Sequence, residues 1–210
     1  EVNWLSTTQN IKVVDEIQAI FSLDNALQVW DKNYNYKLNI KNIDNFNWKA
    51  YLSYDDAYLS SNTWWIQFVN SQASGTLKTT KKATEKTTIK VYVDGKKSPI
   101  LVTPQILPDK PMKIQITQNV NTIEASTSSK VSLIAALQDI YWNTVFTDND
   151  TVFTLDIPEK YSEIISVNSK TRRLNKWVID FELTETDIPG RAYYTINSNK
   201  SLSDNKVVFT

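Results

Sequence analysis

The sequence contains neither cysteine nor histidine. Without cysteine the chain has no disulfide framework, no thiol nucleophile and no cysteine-ligated zinc or iron–sulfur site. Without histidine it lacks the Ser-His-Asp triad, an imidazole general base and the commonest metal ligand. Because these two absences remove much of the usual catalytic repertoire, we predict no catalytic residue, no metal ligand and no cofactor.

Glycine is scarce and charge of either sign is not in excess. The 210 residues include only three glycines, and the 23 Lys and Arg residues balance the 23 Asp and Glu residues. Phosphate loops and dinucleotide fingerprints need clustered glycines, because the backbone must approach the ligand closely. A neutral chain gives no electrostatic case for nucleic acid or an anionic membrane. No apolar run approaches the roughly 20 residues that span a bilayer, so we expect no transmembrane segment.

Alternation of apolar and polar residues with period two recurs along the chain. This pattern is typical of a strand with one buried and one wet face. It is found in the segments 33–40, 89–93, 112–117, 152–157 and 177–183. Asp94-Gly95 follows the second segment and predicts a hairpin turn into Ile100–Val102. The sequence therefore predicts a mainly β protein with antiparallel pairing.

Two segments follow a helical spacing instead. In 126–141, apolar residues recur at helical intervals behind a run of Ser and Thr that could cap a helix. The segment 6–21 has the same spacing, although its apolar residues also alternate as in a strand. Two architectures follow: immunoglobulin-like sandwiches, or an α+β fold with one short helix per repeat.

The chain divides near its middle. Three of the six prolines lie in "TPQILPDKP" (103–111), a composition typical of a linker. We predict a Trp- and Tyr-rich β domain at 1–103, a linker at 104–111 and a second β domain at 112–210. The strand predicted at 112–118 has no counterpart in the first half, which suggests a chain cut from a longer protein.

The two halves look related. Four pairs of segments match in the same order: 11–21 with 131–141, 36–40 with 153–157, 64–68 with 177–181, and 89–93 with 205–209. Internal repeats are the signature of modular arrays, and the alternative is coincidence between two β domains. The pattern resembles the tandem immunoglobulin-like arrays of bacterial surface proteins or phage virions, and the helix-plus-strand repeats of mollicute lipoproteins. The resemblance implies an extracytoplasmic structural module, whose partners are other subunits or neighbouring repeats of a longer chain.

The stretch "TWWIQF" (63–68) places two tryptophans side by side in a predicted strand. Successive strand side chains point to opposite faces. Trp64 shares a face with Ile66 and Phe68 and is predicted to lie in the core. Trp65 shares the other face with Gln67, and with Tyr51 these residues are our candidate ligand site. Exposed aromatic rings stack on sugars, so the partner would be a glycan; the alternative is that the rings pack inside the protein.

One pair of carboxylates could serve catalysis without histidine or cysteine. Asp180 and Glu182 lie two residues apart in "WVIDFEL". The segment 179–182 resembles the end of the E-[ILV]-D-x-E active-site strand of the family-16 β-glucanases. That resemblance implies a β-sandwich glycosidase, but Val178 stands where the family has its nucleophile. The alternative is two solvated charges on the polar face of a strand.

Two further stretches have a functional and a structural interpretation. The basic stretch 77–90 could bind a polyanion, or it could be a hairpin loop that runs into a lysine-protected edge strand. "TDNDT" (147–151) could offer Asp148 and Asp150 to a cation. A calcium loop needs more carboxylates and a glycine, so we predict a turn.

Three hypotheses follow. The first is a non-enzymatic structural or adhesive module at a cell surface, in a secreted protein or in a virion. The second is a carbohydrate-binding module that uses Trp65, Gln67 and Tyr51. The third is an unusual glycosidase that uses Asp180 and Glu182.

Overall fold

The computed structural model describes residues 16–24, 26–30, 32–119, 130–175, 177–200, 202 and 206–209. These residues form eighteen β-strands and one short 3-10 helix, Glu159–Tyr161, which confirms the mainly β prediction. No helical segment among them has the length and hydrophobicity needed to cross a bilayer. The strands are β1 Ala19–Ser22, β2 Ala26–Gln28, β3 Asn33–Ile40, β4 Lys49–Ser53, β5 Leu59–Ser60, β6 Trp65–Gln67, β7 Gln72–Thr79, β8 Ile89–Val93, β9 Ile100–Val102, β10 Gln105–Leu107, β11 Lys113–Gln118, β12 Lys130–Gln138, β13 Val152–Asp156, β14 Ile165–Val167, β15 Thr171–Arg173, β16 Val178–Glu185, β17 Tyr194–Ser198 and β18 Lys206–Phe209.

The first ten strands build one β-sandwich. Its two antiparallel sheets have the strand orders β1-β3-β7-β5 and β6-β4-β8-β9. Alternate residues of these strands point inward and form one buried cluster. Its fully buried members include Tyr36, Leu38, Leu59, Leu77, Ile89 and Val91. Gly95, whose φ is 80°, forms the predicted turn between β8 and β9.

The predicted linker begins inside this sandwich. Strand β10 pairs in parallel with β2, and Ile106 is fully buried in the same core as Leu27. The side-chain amide of Gln28 donates to the carbonyl of Pro108 at 2.6 Å. The prolines of this segment therefore flank a short paired strand. The division at 104–111 stays a prediction.

The remaining strands build a second β-sandwich. Its antiparallel sheets have the orders β11-β12-β16-β14 and β15-β13-β17-β18. A separate buried cluster fills the space between them. Its fully buried members include Leu133, Leu137, Phe153, Leu155, Phe181 and Ile196. Both halves are thus immunoglobulin-like sandwiches, as one of the two predicted architectures requires.

The two sandwiches have the same topology. We leave out β2 and β10 and number the remaining eight strands of each sandwich in chain order. In both sandwiches one sheet then has the strand order first, second, sixth, fourth. The other sheet has the strand order fifth, third, seventh, eighth in both sandwiches. Strand β1 is therefore the counterpart of β11, so the prediction that the first half lacks this strand is wrong.

The segment matches that suggested a repeat are displaced by one strand. For example, the segment 36–40 was matched with 153–157. The first lies in β3, whose counterpart is β12, but the second lies mostly in β13. Likewise 64–68 contain β6, whose counterpart is β15, whereas 177–181 lie at the start of β16. Period-two patterns match any other strand equally well, so these matches do not align the halves. A duplication of the sequence itself stays a prediction.

The helix predicted at 126–141 is wrong over its described part. Residues 130–138 form β12, the longest strand, which pairs with β11 on one side and β16 on the other. Val131, Leu133, Ala135 and Leu137 are buried at alternate positions. Pairing on both sides overrides the helical spacing. Of the segment 6–21, residues 6–15 lie outside the described residues, and residues 19–21 belong to strand β1.

A buried carboxylate organises the turn between β12 and β13. Asp139 is fully buried. Its Oδ1 accepts hydrogen bonds from the backbone N–H groups of Tyr141 at 2.8 Å and Asn143 at 2.9 Å. Its Oδ2 accepts from the Asn143 side-chain amide at 2.9 Å and from the backbone N–H of Asp109 at 3.0 Å. One side chain thus ties this turn to the segment that connects the sandwiches.

The same turn contacts the first sandwich directly. Asn143 Oδ1 accepts from the backbone N–H of Ala83 at 2.9 Å, and its Nδ2 donates to the carbonyl of Lys81 at 2.8 Å. The Tyr141 ring packs against the first core and meets Trp30 edge-on, with ring centroids 5.3 Å apart. We call the contacts made by Asp139, Tyr141 and Asn143 the joint.

The basic stretch 77–90 contributes to the joint. Its residues 81 and 83 supply the two backbone partners of Asn143. The strand that follows, β8, lies between β4 and β9, so the expectation that it is an edge strand is wrong. The centre of the stretch thus contacts the second sandwich.

Tyr36 and Gly75 form a tight cross-strand pair in the first sandwich. A Cβ at position 75 would overlap the hydroxyl and the ring of Tyr36. The Tyr36 ring stacks on Phe21 at 5.2 Å, which leaves it little room to move. Its buried hydroxyl has no hydrogen-bond partner within the described part of the chain, and burial raises the pKa of Tyr36 to about 12.

We therefore expect Gly75→Ala to lower the free energy of unfolding by about 2 kcal/mol, because the added methyl group overpacks the core. Tyr36→Phe removes the unsatisfied hydroxyl, so we expect it to be neutral or stabilising. In the double variant the cost of Gly75→Ala should shrink. Urea unfolding of the four proteins measures these changes, and strictly additive effects would contradict the proposed clash.

Candidate functional site

Three aromatic side chains form a row on the outer face of the first sandwich. Tyr51 in β4 pairs with Trp65 in β6 on one side and with Tyr92 in β8 on the other. Directly opposed residues of antiparallel strands project from the same face, so the rings follow one another at about 4.8 Å per strand. Trp65 is 42% exposed and Tyr92 44%, and Tyr51 between them is half-buried. We call these three residues the aromatic row.

The outward orientation predicted for Trp65 is confirmed, but the core position predicted for Trp64 is wrong. Trp64 is 66% exposed and lies against Tyr51, with ring centroids 5.6 Å apart. Strand β6 begins only at Trp65, so the alternation of strand faces does not extend to the residue before it. Ile66 and Phe68 fill the inward positions.

Gln67 lies beside the row and is engaged by its own chain. Its side-chain amide donates to the carbonyl of Trp48 at 3.2 Å and to the carbonyl of Asn47. Gln67 is paired across the strands with Lys49. The Nζ of Lys49 lies 4.8 Å from the centre of the Trp65 ring, a cation–π contact.

The structure brings together Trp65, Tyr51 and Gln67, the three predicted ligand-binding residues, on one face. It adds Tyr92, which sequence reasoning left among the polar positions of an alternating strand. The sequence did contain a signal for Tyr92, because it alternates with the apolar residues of "IKVYV" (89–93) and therefore points to the outer face of the strand. Its place next to Tyr51 depends on the pairing of β4 with β8. Ligand binding by these residues stays a prediction.

Asp180 and Glu182 are engaged by neighbouring side chains. Both lie on the outer face of the second sandwich, in β16. Asp180 Oδ1 accepts a hydrogen bond from the Ser132 hydroxyl at 2.5 Å. Glu182 Oε1 pairs with Lys130 Nζ at 2.9 Å. Each carboxylate is therefore held by a neighbour on β12, as expected for polar cross-strand contacts on a solvated face.

A polar cleft of about 470 Å³ lies where the two sandwiches meet. Its lining residues come from both: Gln28, Lys32, Pro108, Asp109, Lys110, Pro111, Val145, Thr147, Asp148, Asn149, Asp150 and Lys200. Although three carboxylates line it, no group of three acidic side chains in the described ranges could hold a metal ion.

Asp148 stabilises the turn at the wall of this cleft, as the sequence predicted. The side chain is largely buried. Oδ1 accepts from the backbone N–H groups of Asp150 and Thr151, both at 3.0 Å. Oδ2 pairs with Lys200 Nζ. Burial opposes ionisation, but the hydrogen bonds from Lys200, Thr151 and Asp150 outweigh it and hold the pKa of Asp148 below its ordinary value.

No protein-family model matches the chain, and no curated protein sequence matches it. Solved structures with a similar fold include the D0-D1 domain of intimin, with 13% identity, a TM-score of 0.40, and coverage of 92% of this chain and 98% of that one. The Escherichia coli adhesin FdeC has 12% identity and a TM-score of 0.41, with 93% of this chain and 65% of that one covered. A β-glycosidase from Bacteroides vulgatus has 10% identity and a TM-score of 0.43, with 93% of this chain and 25% of that one covered. The chain thus resembles domains of bacterial adhesins, but it resembles part of an enzyme to the same degree, so this similarity does not identify a function.

For Asp148 we expect a pH-dependent contribution to stability. Because its pKa is lower in the folded chain than in the unfolded chain, the contribution is complete above about pH 4 and is lost as the pH falls through the folded pKa. Asp148→Asn should lower the free energy of unfolding at pH 7 by about 1–2 kcal/mol. Its difference from the unsubstituted protein should shrink below pH 4.

Denaturant unfolding between pH 7 and pH 2.5 measures this difference. Asp150→Asn is the matched control, since the exposed Asp150 contributes only its backbone N–H to the turn. We expect it to change the free energy by less than about 0.5 kcal/mol at every pH. A constant offset for Asp148→Asn across the whole range would contradict the assignment.

Proposed function

We propose that the chain is a non-enzymatic structural and adhesive module, in which the two sandwiches act as one rigid unit. The joint is the observation that carries this proposal. Asp139 is a fully buried carboxylate with four hydrogen-bond donors. Bonds to a charged group contribute about 1.5–3 kcal/mol each. These bonds fix the turn from which Asn143 bonds to the backbone of Lys81 and Ala83 in the first sandwich. Such a connection holds one orientation, whereas a flexible linker does not.

The placement of the acidic residues supports a non-enzymatic function. Asp180 and Glu182 lie on an open sheet face, where Ser132 and Lys130 hold them. A glycosidase needs two carboxylates that flank the bond to be cleaved. Residues on one strand with cross-strand partners do not provide that arrangement. We therefore favour the polar-face interpretation of this pair over the glycosidase.

The proposed site of action is extracytoplasmic: a cell surface, a secreted protein or a virion. The partners would be neighbouring repeats of a longer chain or other protein subunits, bound end to end with the rigid unit as a spacer. Two sandwiches with one topology, joined at a fixed angle, suit a spacer. Antibodies against the chain should label intact cells or particles of its source. Labelling that appears only after lysis would contradict this location.

Asn143→Ala tests the rigid joint. The substitution removes three side-chain hydrogen bonds, to Ala83, Lys81 and Asp139. Two of these bonds join the sandwiches, so at about 1 kcal/mol each we expect the contacts between the sandwiches to weaken by about 2 kcal/mol. Each sandwich should keep its own core, because the substituted side chain lies outside both.

Spin-label distances measure the effect directly. The chain has no cysteine, so Ser53→Cys and Thr154→Cys place one label on each sandwich at exposed strand positions. We expect a narrow distance distribution in the labelled parent protein, a broad one with Asn143→Ala, and a narrow one with the control Asn197→Ala. A distribution that is already broad in the parent would overturn the proposal.

A further inference from the structure

The aromatic row lies in a face on which lysines outnumber carboxylates. Eight side chains of β6, β4, β8 and β9 project outward in three cross-strand rows. They are Gln67 and Lys49 in the first row, Trp65, Tyr51 and Tyr92 in the second, and Ser53, Lys90 and Leu101 in the third. None of the eight is acidic. Asp94 lies opposite Lys49 in the turn after β8. The face and its edge thus carry two positive charges and one negative charge, a small basic excess on a chain that is neutral as a whole.

We infer that this face binds an extended acidic polysaccharide. The flat C–H face of a pyranose ring stacks on aromatic side chains, as other apolar groups do. The three rings of the aromatic row repeat at about 4.8 Å, close to the length of one sugar residue. A glycan chain that lies across the strands would therefore place successive sugars over Trp65, Tyr51 and Tyr92.

The two lysines select an acidic glycan over a neutral one. Lys49 and Lys90 lie on opposite sides of the aromatic row. The Cα atom of each is two residues along its strand, about 7 Å, from the Cα atom of a residue in the row. Neither forms a salt bridge with a described residue. Acidic groups on either edge of the glycan would thus meet a cation. The Nζ of Lys49 covers the Trp65 ring in the free protein, and a stacked sugar would move it from the ring to the ligand's carboxylate.

The same residues disfavour a protein partner. The centres of protein interfaces are depleted in charge, and lysine is among the residues found there least. Here lysine flanks the aromatic rings on both sides and alternates with Gln67 and Ser53. The one carboxylate close by, on Asp94 in the turn after β8, accepts from the backbone N–H of Lys49 at 3.4 Å. The face thus combines stacking surface with cations, as an acidic sugar chain requires.

Binding is tested with the whole chain and defined polysaccharides. The probes are polygalacturonate, alginate and chondroitin sulfate, with methyl-esterified polygalacturonate and cellohexaose as neutral counterparts. In isothermal titration we expect at least one acidic polysaccharide to bind and the neutral ones to bind at least about tenfold more weakly. Affinity should fall as salt is raised, because charged groups contribute.

Variants separate stacking from plain charge attraction. We expect Trp65→Ala and Tyr51→Ala each to weaken binding about tenfold, and Trp65→Phe, which keeps a ring, to recover part of it. The pair Lys49→Ala and Lys90→Ala should weaken binding about fivefold and reduce its salt dependence. Tyr193→Ala, an exposed aromatic residue of the second sandwich, is the matched control and should have no effect. Unchanged circular dichroism establishes that each variant is folded.

Three results would overturn the inference. They are no binding to any of the three acidic polysaccharides, equal binding to neutral ones, and loss of binding with the lysine substitutions but not with Trp65→Ala. The last result would show attraction by charge alone. The joint is not part of this face, so none of these results bears on the rigid module, which the spin-label distances test separately.

Discussion

The arrangement of the two sandwiches depends on one buried carboxylate. Asp139 has no exposed surface, and an ionised group in that position is tolerated only when hydrogen bonds compensate for lost hydration. Four donors do so, and together they shape the turn that follows β12. That shape places Tyr141 against the first core and directs Asn143 to the backbone of Lys81 and Ala83. Without the carboxylate these donors lose their acceptor, which destabilises the turn that holds Tyr141 and Asn143 against the first sandwich.

The sandwiches share their topology but use their outer faces differently. In each, the inward residues are apolar and fill a core. The outer face of the first presents the aromatic row between two lysines, whereas the outer face of β16 presents Asp180 and Glu182 in polar cross-strand contacts. One strand order can thus present different side chains on its outer face in each sandwich. Function lies in the outward residues and not in the fold itself.

The errors of sequence reasoning have definite physical causes. The apolar residues of 126–141 recur at helical spacing, but residues 130–138 form hydrogen-bonded pairs with β11 and β16. This pairing outweighs the local preference for a helix. Trp64 was placed in the core by alternation, which applies only inside a strand, and β6 begins one residue later. The segment matches between the halves failed because alternation repeats every two residues and therefore carries no information about which strand is which.

The sequence by itself determined the features that depend on composition and on neighbouring residues along the chain. The period-two alternation predicted β3, β8, β11, β13 and β16 with their inward faces. The missing cysteine and histidine excluded whole classes of chemistry, and Asp94-Gly95 marked its turn. The tertiary structure decided what depends on distant residues. Tyr51 and Tyr92 become neighbours only through the register of β4 with β8, and Asn143 meets Ala83 only when the sandwiches dock. Both contacts join residues far apart in the sequence. A local sequence pattern does not specify which distant strand or turn will pack against it.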